Sequence, residues 1–134
     1  RDWENPIRGI YGIFTRENED VYCAYVGRAN NIYNRFFSSK GNPGHLVEIK
    51  NNNYKNEKVK QALEKKAAII EIKVLEEVKC QYDDYYKDMH RLAFAEYNHI
   101  RKYQELKECL EELPDGRNMN KDVWDVEYRK RHNI

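Results

Sequence analysis

Residues 9–37 read GIYGIFTRENEDVYCAYVGRANNIYNRFF, and no other stretch constrains the fold as tightly. Gly9 to Thr15 is short, aromatic and β-branched, and Val21 to Val26 is a second run of strand formers. The turn-forming residues Arg16 to Asp20 lie between them, so the stretch predicts a β-hairpin. Tyr11 and Tyr25 then fall one on each strand. Gly27 is expected to break the second strand, and Asn30 to cap a short helix in which Ile32 and Phe36 share a face with Arg35 between them in sequence. A hairpin feeding a helix brings two phenols and a guanidinium within reach of one another.

A two-stranded ribbon is marginal by itself, and the run Ala67 to Leu75 supplies a third strand. There Ile70, Ile72 and Val74 alternate with Glu71 and Lys73, the period of a half-buried strand. Before it, Asn56 is a good cap for a helix reaching about Lys66, with Val59, Ala62 and Leu63 at helical spacing and Lys55, Lys58, Lys60, Lys65 and Lys66 on other faces. After it, a long helix is expected from Asp83 or Asp84 at least to Tyr103 and on to Leu113, where Pro114-Asp115-Gly116 stops it. Its apolar stripe is Met89, Leu92, Ile100 and Tyr103. Glu96 falls in the middle of that stripe, and an inward carboxylate is costly unless it is paired or binds a metal.

The connections are less telling. Ser38 to Gly44 and Asn51 to Asn53 are turn-rich, and His45 to Lys50 reads equally as a brief strand or a turn of helix. The fold class is α+β: a small three-stranded antiparallel sheet flanked by helices. It forms one domain over 1–134, with a core of about 7–120 and a C-terminal extension, 121–134, that carries Trp124 and a short basic run.

Charge adds a location. The net charge is +1 and does not by itself suggest a polyanion partner, yet from Arg28 to Lys66 nine Lys or Arg face three Asp or Glu, a local excess of six, so any nucleic-acid surface is expected to be local to that segment. The lysines of the helix after Asn56 fit either a solvated face or phosphate contact. Three widely spaced cysteines, Cys23, Cys80 and Cys109, match neither a disulfide framework nor a zinc pattern, and are expected as reduced thiols of a cytoplasmic protein. No apolar run approaches the ~20 residues that span a bilayer, and Arg1 to Pro6 has no signal-peptide core. Lacking an initiator methionine, the chain reads as a processed, tagged or excised piece.

The hairpin residues resemble the GIY-YIG nuclease superfamily. Gly9-Ile10-Tyr11 stands as its first motif and Tyr25-Val26-Gly27 as its second; Arg35, eight residues past the second glycine, stands where the family keeps its catalytic arginine. Glu96 to Tyr103 looks like the family's segment after the third strand, which carries a metal-binding glutamate. Its alternative is a structural one, Glu96 paired internally with an arginine. Arg28 occupies the place where the excision-repair members carry lysine. Asn118 or Asn120 lies near the family's closing asparagine, although the local pattern departs from the usual ending.

The resemblance implies a division of labour. Arg35 would fork two donors onto phosphate, and Glu96 would bind one Mg²⁺ or Mn²⁺. Tyr11 or Tyr25 would activate the water, which requires its pKa of ~10 to be lowered by neighbouring cations such as Arg28. Arg28 could instead touch phosphate, and His45 is a candidate relay; Arg28, Lys40, Lys55, Lys58 and Lys60 would bind DNA. The function so implied is a metal-dependent DNA endonuclease leaving 5′-phosphate and 3′-hydroxyl ends. Its partners are DNA and no membrane, with homo-oligomerisation and a separate specificity domain left open. The alternative is a catalytically inactive nucleic-acid-binding or protein-interaction module of the same fold. A third, an RNA-binding α+β domain, would need solvent-facing sheet aromatics, with Tyr22 and Phe14 the candidates.

Overall fold

A computed structural model describes residues 7–36, 56–64 and 68–112. The readings for Lys40, His45, Lys55, Lys65, Lys66, Asn118, Asn120 and the C-terminal extension lie outside them. Three strands form one antiparallel sheet in the order β2-β1-β3: β1, Gly9–Glu17; β2, Asp20–Ala29; and β3, Ala68–Glu77. The hairpin is tighter than its sequence suggested, because Asn18 adopts φ 57°, a left-handed conformation that asparagine tolerates. Glu17 therefore pairs with Asp20 across a two-residue turn.

The expectation that Gly27 breaks the second strand is corrected: β2 runs through it to Ala29, with Gly27 paired to Tyr11. The following helix, α1, spans Ile32–Phe36 and takes its cap one residue late, Asn31 Oδ1 accepting from Asn34 N at 3.2 Å. Asn30, the expected cap, instead accepts from Arg8 Nε at 3.1 Å.

Helix α2, Glu57–Glu64, starts where its sequence placed it. Asn56 Oδ1 accepts from Lys58 N and Val59 N at 3.0 and 3.2 Å, and Nδ2 donates to Ala24 O of β2 at 2.8 Å. One buried amide thus caps the helix and ties it to the sheet. Asn56→Ala removes both functions and is expected to cost about 2 kcal/mol, read as a lower urea midpoint with an unchanged m-value.

The long helix, α3, covers Tyr85–Glu105 and is capped by Asp84, which accepts from Tyr86 N and Lys87 N. It ends at Leu106 rather than Leu113. Lys107 and Cys109 take positive φ, Gln104 Nε2 donates to Cys109 O and Glu112 O, and Cys109 N donates to Cys23 O at 2.8 Å. The chain therefore turns back along β2. Its outer strand edge, which would otherwise present open backbone groups, receives Glu108 on Cys23 N and Glu112 on Val26 N.

Helices cover both sheet faces. Ile10, Phe14, Cys23 and Val26 pack with Leu92, Ala95 and Ile100 of α3. Tyr11, Ile13 and Ala24 pack with Ile32 and Phe36 of α1 and Val59 of α2. Phe14 is in the core and Tyr22 half-buried, so the sheet does not offer that pair as an open stacking surface. No helix among the described residues is long and apolar enough to cross a membrane.

Candidate functional site

Strand pairing sets the first half of the site. Tyr11 lies opposite Gly27 and one diagonal step from Tyr25, so the two phenols share a face, with ring centroids 6.1 Å apart. Phe36 of α1 meets the Tyr11 ring edge-on at 4.9 Å. One turn of helix places Arg35 beside the phenol, and Tyr11 hydrogen-bonds to both Arg35 and Tyr25. Gly27 makes the arrangement possible: a Cβ there would overlap Tyr11 Cζ and Oη and crowd Tyr25 Cε2. The sequence brought these three residues together, and the structure does so too.

Tyr11 is nevertheless not poised to ionise. Burial pushes its pKa up to about 12, and the opposing pull of the Arg35 guanidinium and its hydrogen bond does not offset this. The requirement for a lowered pKa is therefore unmet at Tyr11, which is 1% exposed, whereas Tyr25 is half-buried. A folded pKa above the unfolded value of ~10 favours the native state below pH ~10 and loses that contribution as pH rises toward ~12. For Tyr11 the loss is about 2–3 kcal/mol. Tyr11→Phe should flatten the fall in stability between those pH values, leaving the part due to Tyr22, which burial raises to about 12, and to Tyr103, which burial also raises. Denaturant titrations at stepped pH measure it.

The second half lies on the other face. Alternation along β2 turns Arg28 away from Tyr25 and toward α3, where Nη1 donates to Glu96 Oε1 at 2.7 Å. Glu96 is 4% exposed, so its inward orientation follows the helical spacing. Arg28 is thus a partner of Glu96, the structural alternative raised by the sequence.

Glu112 was not singled out by the sequence, where it reads as part of a charged helix end. It is fully buried; Oε1 accepts from Val26 N at 2.7 Å and from Cys109 Sγ at 3.0 Å, while Oε2 has no hydrogen-bond partner among the described residues. Burial pushes its carboxyl well above the usual range, Glu96 adding to the effect, and Glu112 in turn raises Tyr11. From the edge of β2 this one carboxyl is felt by both halves of the site. The signal that could have found it is the turn at Leu106, which no local propensity announces.

A metal finds a sparse donor set. No group of three or more His, Cys, Asp or Glu able to hold an ion occurs among the described residues. A single carboxylate still fits Mg²⁺ or Mn²⁺, since such ions keep much of their shell as water and substrate oxygen. Glu96 would be the residue that holds it, in competition with Arg28.

The basic surface is also tempered. Lys58 is exposed with its ammonium 4.8 Å from the centre of the Tyr22 ring, and its backbone N lies 3.4 Å from Glu111 Oε2. Lys60 is half-buried. One carboxylate from beyond α3, that of Glu111, is thus brought against the basic segment. Comparison of the chain with protein-family models, with curated proteins and with solved structures finds no match.

Proposed function

We propose that the chain is a metal-dependent DNA endonuclease of the GIY-YIG type. The observation that carries this reading is the joining of Tyr11, Tyr25 and Arg35 into one hydrogen-bonded group under α1, across a glycine whose missing side chain makes the room. A phosphodiester resists attack because its oxygens repel the nucleophile, so a site must hold those oxygens and position water. Arg35 supplies the fixed positive charge for the phosphoryl oxygens. Tyr25, less deeply buried than Tyr11, is the phenol that reaches the attacking water. Tyr11 stays protonated and holds the other two in register. A metal at Glu96 would supply Lewis-acid stabilisation of the leaving 3′ oxygen, which requires a substrate that reaches the α3 face of the sheet as well as the α1 face. Arg28, more than a third exposed at its side chain, is placed to exchange its carboxylate partner for a substrate phosphate.

The Arg28–Glu96 pair and its position on the opposite sheet face favour a second reading, a module of the same fold that binds nucleic acid without cutting it. Incubation with plasmid and branched DNA, with and without Mg²⁺, separates the two. Metal-dependent products carrying 5′-phosphate and 3′-hydroxyl ends support the nuclease; DNA binding with no cleavage selects the idle module.

A further inference from the structure

Helix α3 buries one stripe and leaves another uncovered. At 100° per residue, Tyr86, His90, Phe94, Tyr97 and Arg101 fall within about 80° of one another, centred about 120° around the helix from Glu96. All five are exposed, Tyr86 at 80% and Phe94 at 58%. The rings are ordered among themselves. Phe94 and Tyr97 lie parallel within 12° at a centroid spacing of 6.4 Å, and Arg101 sits 5.6 Å from the centre of the Tyr97 ring while its Nη1 donates to the Tyr97 hydroxyl at 3.1 Å.

The exposed charge on α3 is mostly positive. Of the charged residues on α3, Lys87, Arg101 and Lys102 are exposed with only Glu105 against them, because Asp88 and Glu96 are buried. The apolar groups of the stripe are all aromatic rings, with no branched aliphatic among them. Interleaved rings and cations suit a polyanion whose units have flat faces, and unpaired nucleotides are that ligand: bases stack on the rings while phosphates meet the cations.

We propose that the outward stripe of α3 from Tyr86 to Arg101 is a binding platform for single-stranded nucleic acid. The inference rests on the reading that the chain acts on nucleic acid, and deepens it by naming a substrate class: DNA with an unpaired segment.

The test is fluorescence anisotropy of the full chain with a labelled oligothymidine of about 20 nucleotides and with a duplex of equal length, in EDTA so that nothing is cut. Phe94→Ala/Tyr97→Ala should lower single-strand affinity about ten-fold or more while duplex affinity changes less than about two-fold. Tyr97→Trp, which keeps a ring, should retain binding. Arg101→Gln should reduce the slope of log affinity against log salt by about 0.7. Unchanged single-strand affinity in the double variant, or an equal loss on duplex, overturns the proposal. So does light scattering in which the parent is a multimer and the double variant a monomer, which would make the stripe a protein interface. A parent that cuts nothing yet binds single strands through these rings would sink the nuclease reading alone; one that cuts duplex but binds single strands no better than the double variant would sink this inference alone.

Discussion

Glu96→Gln is expected to leave a folded protein that still binds DNA and cuts it at least 10²-fold more slowly, about the effect of deleting one transition-state stabiliser. Glutamine keeps the shape and one acceptor oxygen for Arg28, and removes only the charge. Breaking a sealed ion pair costs about 3–5 kcal/mol, but the Arg28 side chain is 38% exposed and its guanidinium can hydrate, so the expected stability loss is nearer 1–2 kcal/mol. The mirror variant behaves differently. Arg28→Ala takes the guanidinium from a carboxylate whose side chain is 6% exposed, and should destabilise more than Glu96→Gln despite removing the more exposed partner. Melting curves and metal-dependent cleavage, taken on both variants, decide the matter. A Glu96→Gln protein that is as stable as the parent and cuts as fast would remove Glu96 from both the mechanism and the framework.

Gly27→Ala is expected to cost about 1–3 kcal/mol and to abolish cleavage even at temperatures where the protein stays folded. The added carbon overlaps the far end of the Tyr11 ring, which has nowhere to go. Phe36 packs edge-on against it, Arg35 holds its hydroxyl, and β1 is paired on both sides. Trimming the ring should relieve the strain, so Tyr11→Leu in the Gly27→Ala background should recover stability without recovering activity. That non-additivity is the diagnostic. If the two substitutions simply add, the methyl acts elsewhere and the room-making role of Gly27 is wrong.

Gly27 also shows where reading the sequence runs out. The hairpin, the third strand and the Asn56 cap are local in origin: alternation of Ile70, Ile72 and Val74, and an amide beside the first free N–H groups, suffice to place them. The reason for a glycine at 27 is the Tyr11 ring on the neighbouring strand, which no local rule contains, so by sequence alone Gly27 reads as a breaker. That misreading carried a second. Once β2 is known to run through Gly27, alternation alone puts Arg28 on the α3 face, opposite the inward Glu96 that helical spacing had identified. The pair was legible from two periodicities and one correct strand boundary. The end of α3 was not legible, since Leu106 to Leu113 has good helical propensity and is turned aside by long-range bonds from Gln104 and Cys109. Glu112 was lost with it.

The carboxylates that cap β2 also decide how this sheet meets other chains. Cys23 N and Val26 N are amides of an outer strand, the kind that exchange quickly with solvent, yet each is held by a carboxylate, and Cys23 O and Ala24 O accept from Cys109 and Asn56. Their hydrogen–deuterium exchange should be as slow as that of the central strand. A chain shortened to end at Leu106 would lose Glu108, Cys109 and Glu112 together and open a template for strand addition, so its failure would show first as concentration-dependent polymerisation rather than as a lower melting point. The acidic run after α3 is, in that sense, the molecule's guard against itself.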